Sequence, residues 1–348
     1  MLYVTTRGTQ DAFTAYRTIH QDRGPDGGFF VPMQMPVLRQ ADITKLIKNS
    51  FGQNIADTLN LYFGTKITEW DVDVAIGRRG FTTKTAGHRI LMGQLWHDSD
   101  GGFYWAMRSL AKLVSPDLKE GEPLLNWLEL GIRIAVVLAV FGDLMGNGTI
   151  SREKGVDVAV STGSFAMPMA LWYARQMGLP IKTLICGCNE NGIVWDLLHR
   201  GEANMGVLAV KTMTPEADYV IPPNFERLIH GTLGQEEALR YWWCCTEGRS
   251  YALAEMDMAT LSKGVFAAVV SMDRVASIIP SVYRTNRYVL DPYGALAYGA
   301  LSDYRARTGS VGQALVITEK GPICEAASVA KCMNISQQEL KRILAEGS

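Results

Sequence analysis

The sequence predicts an α/β fold with a parallel sheet, and three observations support this prediction. From Val156 onward, apolar strand patterns alternate with helical ones, as in βαβ units. The first of these strands, 156–160, is almost continuously apolar, which is typical of a strand covered on both faces. The chain has 348 residues and is 47% hydrophobic, which is enough for two packed lobes or one large α/β unit.

The helices, strands and loops of the N-terminal half are predicted from local sequence patterns. Alternation at Asp71 to Ile76 predicts a strand, whereas the polar run 82–85 predicts a solvated loop that carries Lys84. Glycines and a proline at 24–28 predict a tight loop before an apolar strand. The other predicted strands are 3–6, 29–31 and 90–96, and the predicted helices are 11–20, 41–64, 104–113 and 124–144.

The C-terminal half carries the regular alternation. The predicted strands are 156–160, 183–186, 207–211, 265–270 and 314–318, and the predicted helices are 165–177, 193–198, one starting at 222–227, 236–243, 257–261 and 294–307. Gly178 and Pro180 end the first of these helices. Ser336 with Glu339 predicts a capping box that opens a last helix, 337–344.

The composition excludes several kinds of partner. A net charge of −1 without a basic cluster argues against nucleic acid and anionic membranes, and the longest dense apolar run, 134–141, is too short to cross a bilayer. The first ten residues lack the pattern of a secretory signal. Six cysteines without a framework of spacings indicate free thiols, no metal site at Cys186 and Cys188, and a cytoplasmic protein.

The turn after the strand 156–160 is a candidate anion site. Thr162, Gly163 and Ser164 lie between that strand and a helix, where free backbone N–H groups and the positive end of the helix dipole point to one place. One glycine is not a phosphate-binding fingerprint, so an ordinary turn with a Ser/Thr cap explains the pattern equally well.

Several segments, collinear along nearly the whole chain, resemble threonine synthase, a member of the fold type II pyridoxal-phosphate enzymes. They are YVTTRG (3–8), DGGFFVP (26–32), NW (126–127), VSTGSF (160–165), MGLP (177–180), CNEN (188–191), ADYVIPPNFERL (217–228) and DPYGALAY (291–298). The resemblance implies a tryptophan-synthase-β-like architecture, with a parallel-sheet main domain and a smaller domain. It also implies a reaction that converts O-phosphohomoserine and water to threonine and phosphate.

The resemblance breaks down at the residues that carry this chemistry. The family's Schiff-base lysine lies in a run that resembles QLWHDSDGGFYW (94–105), and alignment on His97 and Phe103 puts Tyr104 at the lysine position. A phenol cannot form an imine with an aldehyde. The family's phosphate-binding glycine loop corresponds to Gly163, Ser164, Phe165, Ala166 and Met167, where two glycine or asparagine positions hold bulkier or non-donating side chains.

The family's substrate-binding S-G-D-T-G loop has no counterpart between Tyr104 and Val156, which indicates a shortened smaller domain. We therefore expect an N-terminal region at 1–95, a truncated small-domain remnant with a helical linker at 96–150, and the α/β main domain at 151–348. Lys84, Lys112, Lys119 and Lys154 are not expected to replace the missing lysine.

Three weaker candidates remain. His97, Asp98 and Asp100 suggest acid–base or metal chemistry, but a structural histidine beside a solvated loop accounts for them better. Thr318 corresponds to the residue beside the cofactor's pyridine nitrogen in the family, or simply ends a strand.

These departures predict a threonine synthase-like protein that has lost the family reaction and kept its scaffold. No cofactor and no metal are expected. The expected partners are a small phosphorylated or amino-acid ligand, a protein or a second copy of the chain. The alternative is an enzyme with rewired chemistry in the same pocket, or with non-covalent pyridoxal phosphate; an active threonine synthase is the least favoured. A lysine ammonium in a pocket beside Thr162–Ser164 would overturn the prediction of lost activity.

Overall fold

A computed structural model describes residues 1–8, 11–77, 81–95, 102–119 and 126–346. Its strands are β1 Leu2–Thr5, β2 Phe13–Thr14, β3 Phe30–Pro32, β4 Thr82–Thr85, β5 Ile90–Gln94, β6 Val156–Ser161, β7 Ile181–Cys188, β8 Glu202–Asn204, β9 Ser250–Ala252, β10 Val265–Val269 and β11 Ala314–Thr318.

Its helices occupy about half of the chain. They are α1 Ala15–His20, α2 Gln40–Lys48, α3 Phe51–Phe63, α4 Glu69–Ile76, α5 Gly102–Val114, α6 Asn126–Gly146, α7 Ala166–Gln176, α8 Ile193–His199, α9 Phe225–Leu233, α10 Gln235–Glu247, α11 Glu255–Leu261, α12 Met272–Asn286, α13 Pro292–Thr308, α14 Ala326–Met333 and α15 Gln337–Glu346; a 3-10 turn spans Pro215–Ala217. The capping box before the last helix is supported, because the Ser336 hydroxyl accepts from the Glu339 N–H at 3.1 Å.

A six-stranded sheet with the order β10-β7-β6-β11-β5-β4 forms the centre of the molecule. The first five strands are parallel, and β4 is an antiparallel edge. This confirms the predicted α/β class with a mostly parallel sheet. Two strands of the sheet come from residues before 95, so the sheet draws on both sides of the expected boundaries; the domain division and the shortened smaller domain stay predictions.

Helix α6 carries the core on one face of the sheet. Its apolar run is buried, as the sequence predicts for a helix without a solvated face. At its start, the Trp127 ring lies 5.3 Å from Tyr3, 5.6 Å from Tyr62 and 5.9 Å from Tyr173, measured between ring centroids. This aromatic cluster joins the N-terminal strand, α3 and α7 to α6.

Helix α13 packs on the other face and approaches the sheet closely. A Cβ placed on Gly187 of β7 would lie 2.5 Å from the carbonyl oxygen of Leu296. The absence of a side chain at Gly187 is what allows the start of α13 to lie directly over the sheet, where its first residues reach the carboxyl ends of the strands.

Four local predictions are wrong. Residues 71–76 belong to helix α4, because Thr68 and Asp71 form a capping box and Gly77 ends the helix with φ +69°. Residues 207–211 are not a strand, since the Val210 backbone bonds to the Asn191 side chain instead of to a neighbouring strand. The predicted loop 82–85 is strand β4, and the helix predicted at 11–20 shortens to α1, because Phe13 pairs with Tyr3.

The patterns also miss two helices. α12 contains Pro280 and begins at Ser271, whose hydroxyl accepts from the Arg274 N–H. α14 is a short amphipathic helix near the C-terminus. No helix in the described part of the chain is both long and apolar enough to span a membrane.

Candidate functional site

A cavity of about 500 Å³ lies at the carboxyl ends of β6 and β11, the usual position of ligand sites in parallel sheets. The start of α5 closes one side, because the Phe103 N–H bonds to the Glu319 carbonyl at 2.9 Å. The lining residues are Phe103, Tyr104, Met107, Glu129, Arg133, Ser161, Gly163, Ser164, Glu216, Tyr219, Tyr293, Gly294, Ile317, Thr318, Glu319, Lys320 and Cys324.

The turn between β6 and α7 presents only part of the predicted anion loop to this cavity. Gly163, with φ +47°, and Ser164 line it. Thr162 is buried and its hydroxyl bonds to the Gly187 carbonyl at 3.3 Å. Phe165, Ala166 and Met167 are buried and are not among the lining residues.

Phe165 explains the shape of this turn. It adopts a left-handed backbone (φ +65°) and its buried ring packs edge-on against Phe225 at 5.1 Å. Asn224 supports the turn from behind, because its backbone and side-chain N–H groups both donate to the Ser164 carbonyl, at 3.1 and 3.2 Å. The burial of an aromatic ring holds a conformation that glycine would otherwise be needed for.

Free donors point out of this turn. Within the described residues, the N–H groups of Gly163, Ser164, Ala166 and Met167 have no hydrogen-bond acceptor. They belong to the turn and the first residues of α7, so the helix dipole adds partial positive charge there. Two of them belong to residues that line the cavity, and these can hold a carboxylate or a similar small anion.

Of the other predicted site residues, two line the cavity, and the rest lie away from it or outside the described residues. Tyr104 lines the cavity, with 51% of its surface exposed, and its hydroxyl accepts from Arg108 at 3.3 Å. Thr318 also lines the cavity, is buried, and donates to the Gly93 carbonyl at 3.3 Å. His97, Asp98 and Asp100 lie outside the described residues. Lys84, Lys112, Lys119 and Lys154 do not line the cavity.

Lys320 is a cavity residue that the sequence reasoning missed, and it lines the same cavity as Gly163 and Ser164, which meets the condition stated above for overturning the prediction of lost activity. It lies at the end of β11, two residues after Thr318, and its ammonium contacts Glu216 at 2.7 Å and Glu325 at 3.1 Å. It also lies 4.9 Å from the centre of the Tyr293 ring. Its position just past a parallel strand's carboxyl end was the signal that could have identified it.

Neighbouring groups determine the protonation state of the Lys320 ammonium. Burial lowers the pKa of Lys320, but hydrogen bonds and negative charge from Glu216, Tyr293 and Glu325 outweigh that effect and raise the pKa above its ordinary value. Lys320 is therefore a protonated cation at neutral pH and not a free amine.

Arg133 is the second cation in the cavity, and carboxylates surround it as well. It donates to Glu129 at 2.9 and 3.1 Å and also contacts Glu319. The lining thus contains Glu129, Glu216 and Glu319 against Arg133 and Lys320. Because each of these two cations already has two carboxylate partners, the described part of the lining offers no unneutralised basic side chain to a doubly charged anion.

Asp291 holds the start of α13 beside the cavity. The buried carboxylate accepts from the N–H groups of Tyr293 at 3.0 Å and Gly294 at 3.1 Å. Burial raises the pKa of Asp291 to about 7, although those two hydrogen bonds lower it. No group of histidine, cysteine or acidic side chains in the described ranges is arranged to hold a metal ion, and the six cysteines are free.

Comparison with known proteins relates this chain to threonine synthases. The family model for the threonine synthase N terminus matches residues 2–78. Threonine synthase-like 1 from Homo sapiens is 27% identical over 176 residues, which cover 50% of this chain and 24% of that protein. Threonine synthase from Pseudomonas aeruginosa is 27% identical over 184 residues, covering 52% of this chain and 38% of the relative. The chain thus matches well under half the length of these relatives.

Solved structures share the fold over nearly the whole chain. Threonine synthase from Brucella melitensis, in a pyridoxal-phosphate-bound form, superposes with a TM-score of 0.83 at 18% identity, covering 96% of this chain and 92% of that one. Yeast threonine synthase gives a TM-score of 0.81 at 18% identity, covering 99% and 94%. The N-terminal family model and the sequence relatives support a relationship of this chain to the threonine synthase family, and the solved structures show that it shares their fold.

Proposed function

We propose that this protein binds a small ligand non-covalently in the cavity at the ends of β6 and β11, and that it does not convert O-phosphohomoserine to threonine. The ligand class is a small anion or metabolite with a carboxylate group. Lys320 brings a lysine ammonium into the cavity beside Gly163 and Ser164, which counts against lost activity. Two carboxylates hold this ammonium in ion pairs, and that pairing is the observation on which the proposal depends.

Pyridoxal phosphate is the cofactor that the family implies, and the cavity residues do not fit its covalent attachment. Tyr104 has a phenol where the family has its amine, and a phenol forms no imine. A lysine forms an imine through its unprotonated fraction, and Glu216 and Glu325 make that fraction smaller than for an ordinary lysine, because removing the proton would weaken both ion pairs.

The remaining donors suit a weaker, reversible ligand. Gly163 and Ser164 line the cavity, and their N–H groups have no acceptor among the residues that the structure describes, so an anionic group has a place to bind. Arg133 and Lys320 contribute little further attraction, because their charges are matched by neighbouring glutamates. This balance favours modest affinity and fast exchange.

The presence of Lys320 in the cavity supports a second candidate function. A ligand that separated Lys320 from Glu216, whose side chain is 67% exposed, would release part of the restraint on the amine. In that case the protein would be an enzyme with a relocated lysine, and Lys320 would bond covalently to a carbonyl ligand.

One experiment separates these two candidates. The purified protein is incubated with pyridoxal phosphate, reduced with borohydride and mapped by peptide mass spectrometry. We expect no more label at Lys320 than at Lys112, which lies on α5 and does not line the cavity. In parallel, thermal unfolding is followed with phosphate and with free amino acids, one of which should raise the midpoint.

The matched variants are Lys320→Met and Lys112→Met. Stoichiometric label at Lys320 that is lost only in Lys320→Met would overturn the proposal and establish the second candidate. Conversely, stabilisation by a small anion that is retained in Lys320→Met and lost in Gly163→Val would support non-covalent binding at the turn, since a β-branched side chain is disfavoured at positive φ.

A further inference from the structure

Arg227, on helix α9, is a fully buried arginine without a carboxylate partner. The other two buried arginines in the described part of the chain, Arg7 and Arg133, both contact glutamates. The Arg227 guanidinium instead donates to the Phe30 carbonyl at 3.2 Å and to the Asn224 side chain. Its Nη2 has no acceptor among the described residues. A buried charge that is not fully bonded destabilises a fold, so its presence indicates a role beyond packing.

The surroundings of Arg227 leave its charge in place. Burial lowers the pKa of Arg227 to about 10, which keeps the guanidinium protonated at neutral pH. The adjacent Glu226 does not pair with it, because both carboxylate oxygens of Glu226 accept from Arg7 and one also accepts from Thr6. The Phe29 ring lies 4.6 Å from the Arg227 guanidinium carbon, measured to the ring centre. One positive charge is therefore held inside the protein without an ion pair.

Asn224 connects this charge to the turn between β6 and α7. A guanidinium only donates hydrogen bonds, so Arg227 fixes the Asn224 amide with its oxygen towards Arg227 and its nitrogen towards the turn. That nitrogen and the Asn224 backbone N–H both donate to the Ser164 carbonyl, at 3.2 and 3.1 Å. With the amide reversed, two oxygens would face each other and repel. Arg227 thus determines which way the Asn224 amide points.

The direction of the Ser164 carbonyl decides what the turn presents to a ligand. Gly163 and Ser164 line the cavity, and their N–H groups have no acceptor among the described residues. Amide N–H groups attract an anion, whereas a carbonyl oxygen turned to the same place would repel it. Asn224 is buried, so its two hydrogen bonds hold the Ser164 carbonyl towards the interior and leave the N–H groups to the cavity.

The charge of Arg227 also acts on this site from behind. Arg133 and Lys320, which line the cavity, are each in ion pairs with two glutamates. Arg227 does not line the cavity, but only two hydrogen bonds, through Asn224, separate its guanidinium from the turn. Charges in a protein interior are screened less than charges in water, so this cation attracts an anion at the turn without touching it.

We propose that Arg227 is the positioning residue of the anion site at this turn: through Asn224 it holds the Ser164 carbonyl away from the cavity, and its unpaired charge strengthens the binding of one carboxylate. This inference rests on the proposed function, because it assigns a role to Arg227 only if a carboxylate binds at Gly163 and Ser164. It adds a residue that no ligand would contact and that the lining of the cavity does not include.

Acetate binding to the purified chain tests this role. The dissociation constant is measured by NMR titration of 13C-acetate at constant ionic strength, and binding at the turn is the part that Gly163→Val abolishes. Asn224→Asp should raise this constant about tenfold or more, because aspartate still accepts from Arg227 but cannot donate to the turn and adds a negative charge behind it. Asn60→Asp is the matched control, since that amide also donates to a backbone carbonyl, at 2.8 Å, but does not line the cavity. It should leave the constant unchanged.

Two variants of Arg227 separate its charge from its packing. Arg227→Met removes the charge and the donor and should raise the acetate dissociation constant about tenfold, whereas Arg227→Lys keeps both and should stay within about threefold of the wild-type value. Thermal unfolding without acetate establishes that each variant is folded, and if Arg227→Met is not, Asn224→Asp decides the question.

The possible failures are distinguishable. A wild-type protein without acetate binding that Gly163→Val abolishes overturns the proposed function and this inference together. Acetate binding at the turn that Asn224→Asp leaves unchanged, or that Arg227→Lys weakens as much as Arg227→Met does, overturns the role of Arg227 alone.

Discussion

At the scale of single residues, two side chains decide what the cavity can do. Tyr104, which we expect at the position of the family's lysine, lies on the first turn of α5 with half of its surface exposed and offers a phenol instead of an amine. Lys320 returns an amine to the same cavity from a different strand, but Glu216 and Glu325 keep it protonated. The position of an amine therefore matters less here than the charges that surround it.

Asp291 makes stability depend on pH. Its pKa rises from 3.8 to about 7 in the folded protein, so the native state holds this proton more tightly than the unfolded chain does. The stabilisation is complete below the unfolded pKa and is lost as pH rises from about 4 through about 7. Asp291→Asn keeps a cap acceptor for α13 but cannot ionise, so its unfolding midpoint should fall less steeply across this window.

Thermal unfolding measured at a series of pH values checks this prediction. The matched control is Asp273→Asn, which alters an exposed carboxylate on the first turn of α12 and should keep the wild-type slope. Equal slopes in Asp291→Asn and the wild-type protein would contradict a buried carboxyl with a raised pKa at the start of α13.

At the scale of elements, close backbone contacts position the cavity wall. Gly187 lets α13 approach β7, and the buried Phe165 holds the turn that leads into α7. Neither feature involves a side chain that touches a ligand. They determine where Tyr293, Gly294 and the N–H groups of the turn lie, and hence the shape of the cavity.

Gly187→Ala should destabilise the fold by about 1–3 kcal/mol, since the new methyl group meets backbone atoms that have no rotamer to move to. Its Cβ would lie 2.5 Å from the Leu296 carbonyl oxygen. Gly312→Ala is the control, because its nearest contacts are 3.7 and 3.8 Å, which is ordinary packing. Urea unfolding measures both free energies, and comparable stability of the two variants would be inconsistent with this close approach.

At the scale of the whole molecule, one aromatic cluster links segments that are distant in sequence. Trp127, fully buried, contacts Tyr3 of β1, Tyr62 of α3 and Tyr173 of α7. The N-terminal region that matches the threonine synthase model is thereby packed against α6, the helix that precedes β6. Large, well-packed aromatic groups contribute strongly to the stability of such contacts between elements.

Trp127→Ala should lower the free energy of unfolding by about 3–5 kcal/mol, because it leaves a cavity among three other rings. Trp70→Ala removes an equally large side chain that is 67% exposed, and it should change the free energy of unfolding little. Denaturant unfolding of both variants checks the difference. A small effect at Trp127 would mean that the N-terminal region is not held through this cluster.

The sequence by itself determined the α/β class and the parallel strands around the turn 161–164, whereas the substitution at Tyr104 stays a prediction. Local patterns suffice there, because burial on both faces makes a strand continuously apolar and because a phenol has the same chemistry in any fold. The alternation at 71–76 failed, since a capping box outweighed a two-residue period.

Only the tertiary structure decided which residues share the cavity. Lys320 and Glu216 are separated by about a hundred residues, and nothing in the pattern around either one indicates a contact of 2.7 Å. The same holds for Arg133 with Glu319. The physical reason is that strand order and helix packing bring these groups together, whereas local periodicity reports only which face of an element is buried.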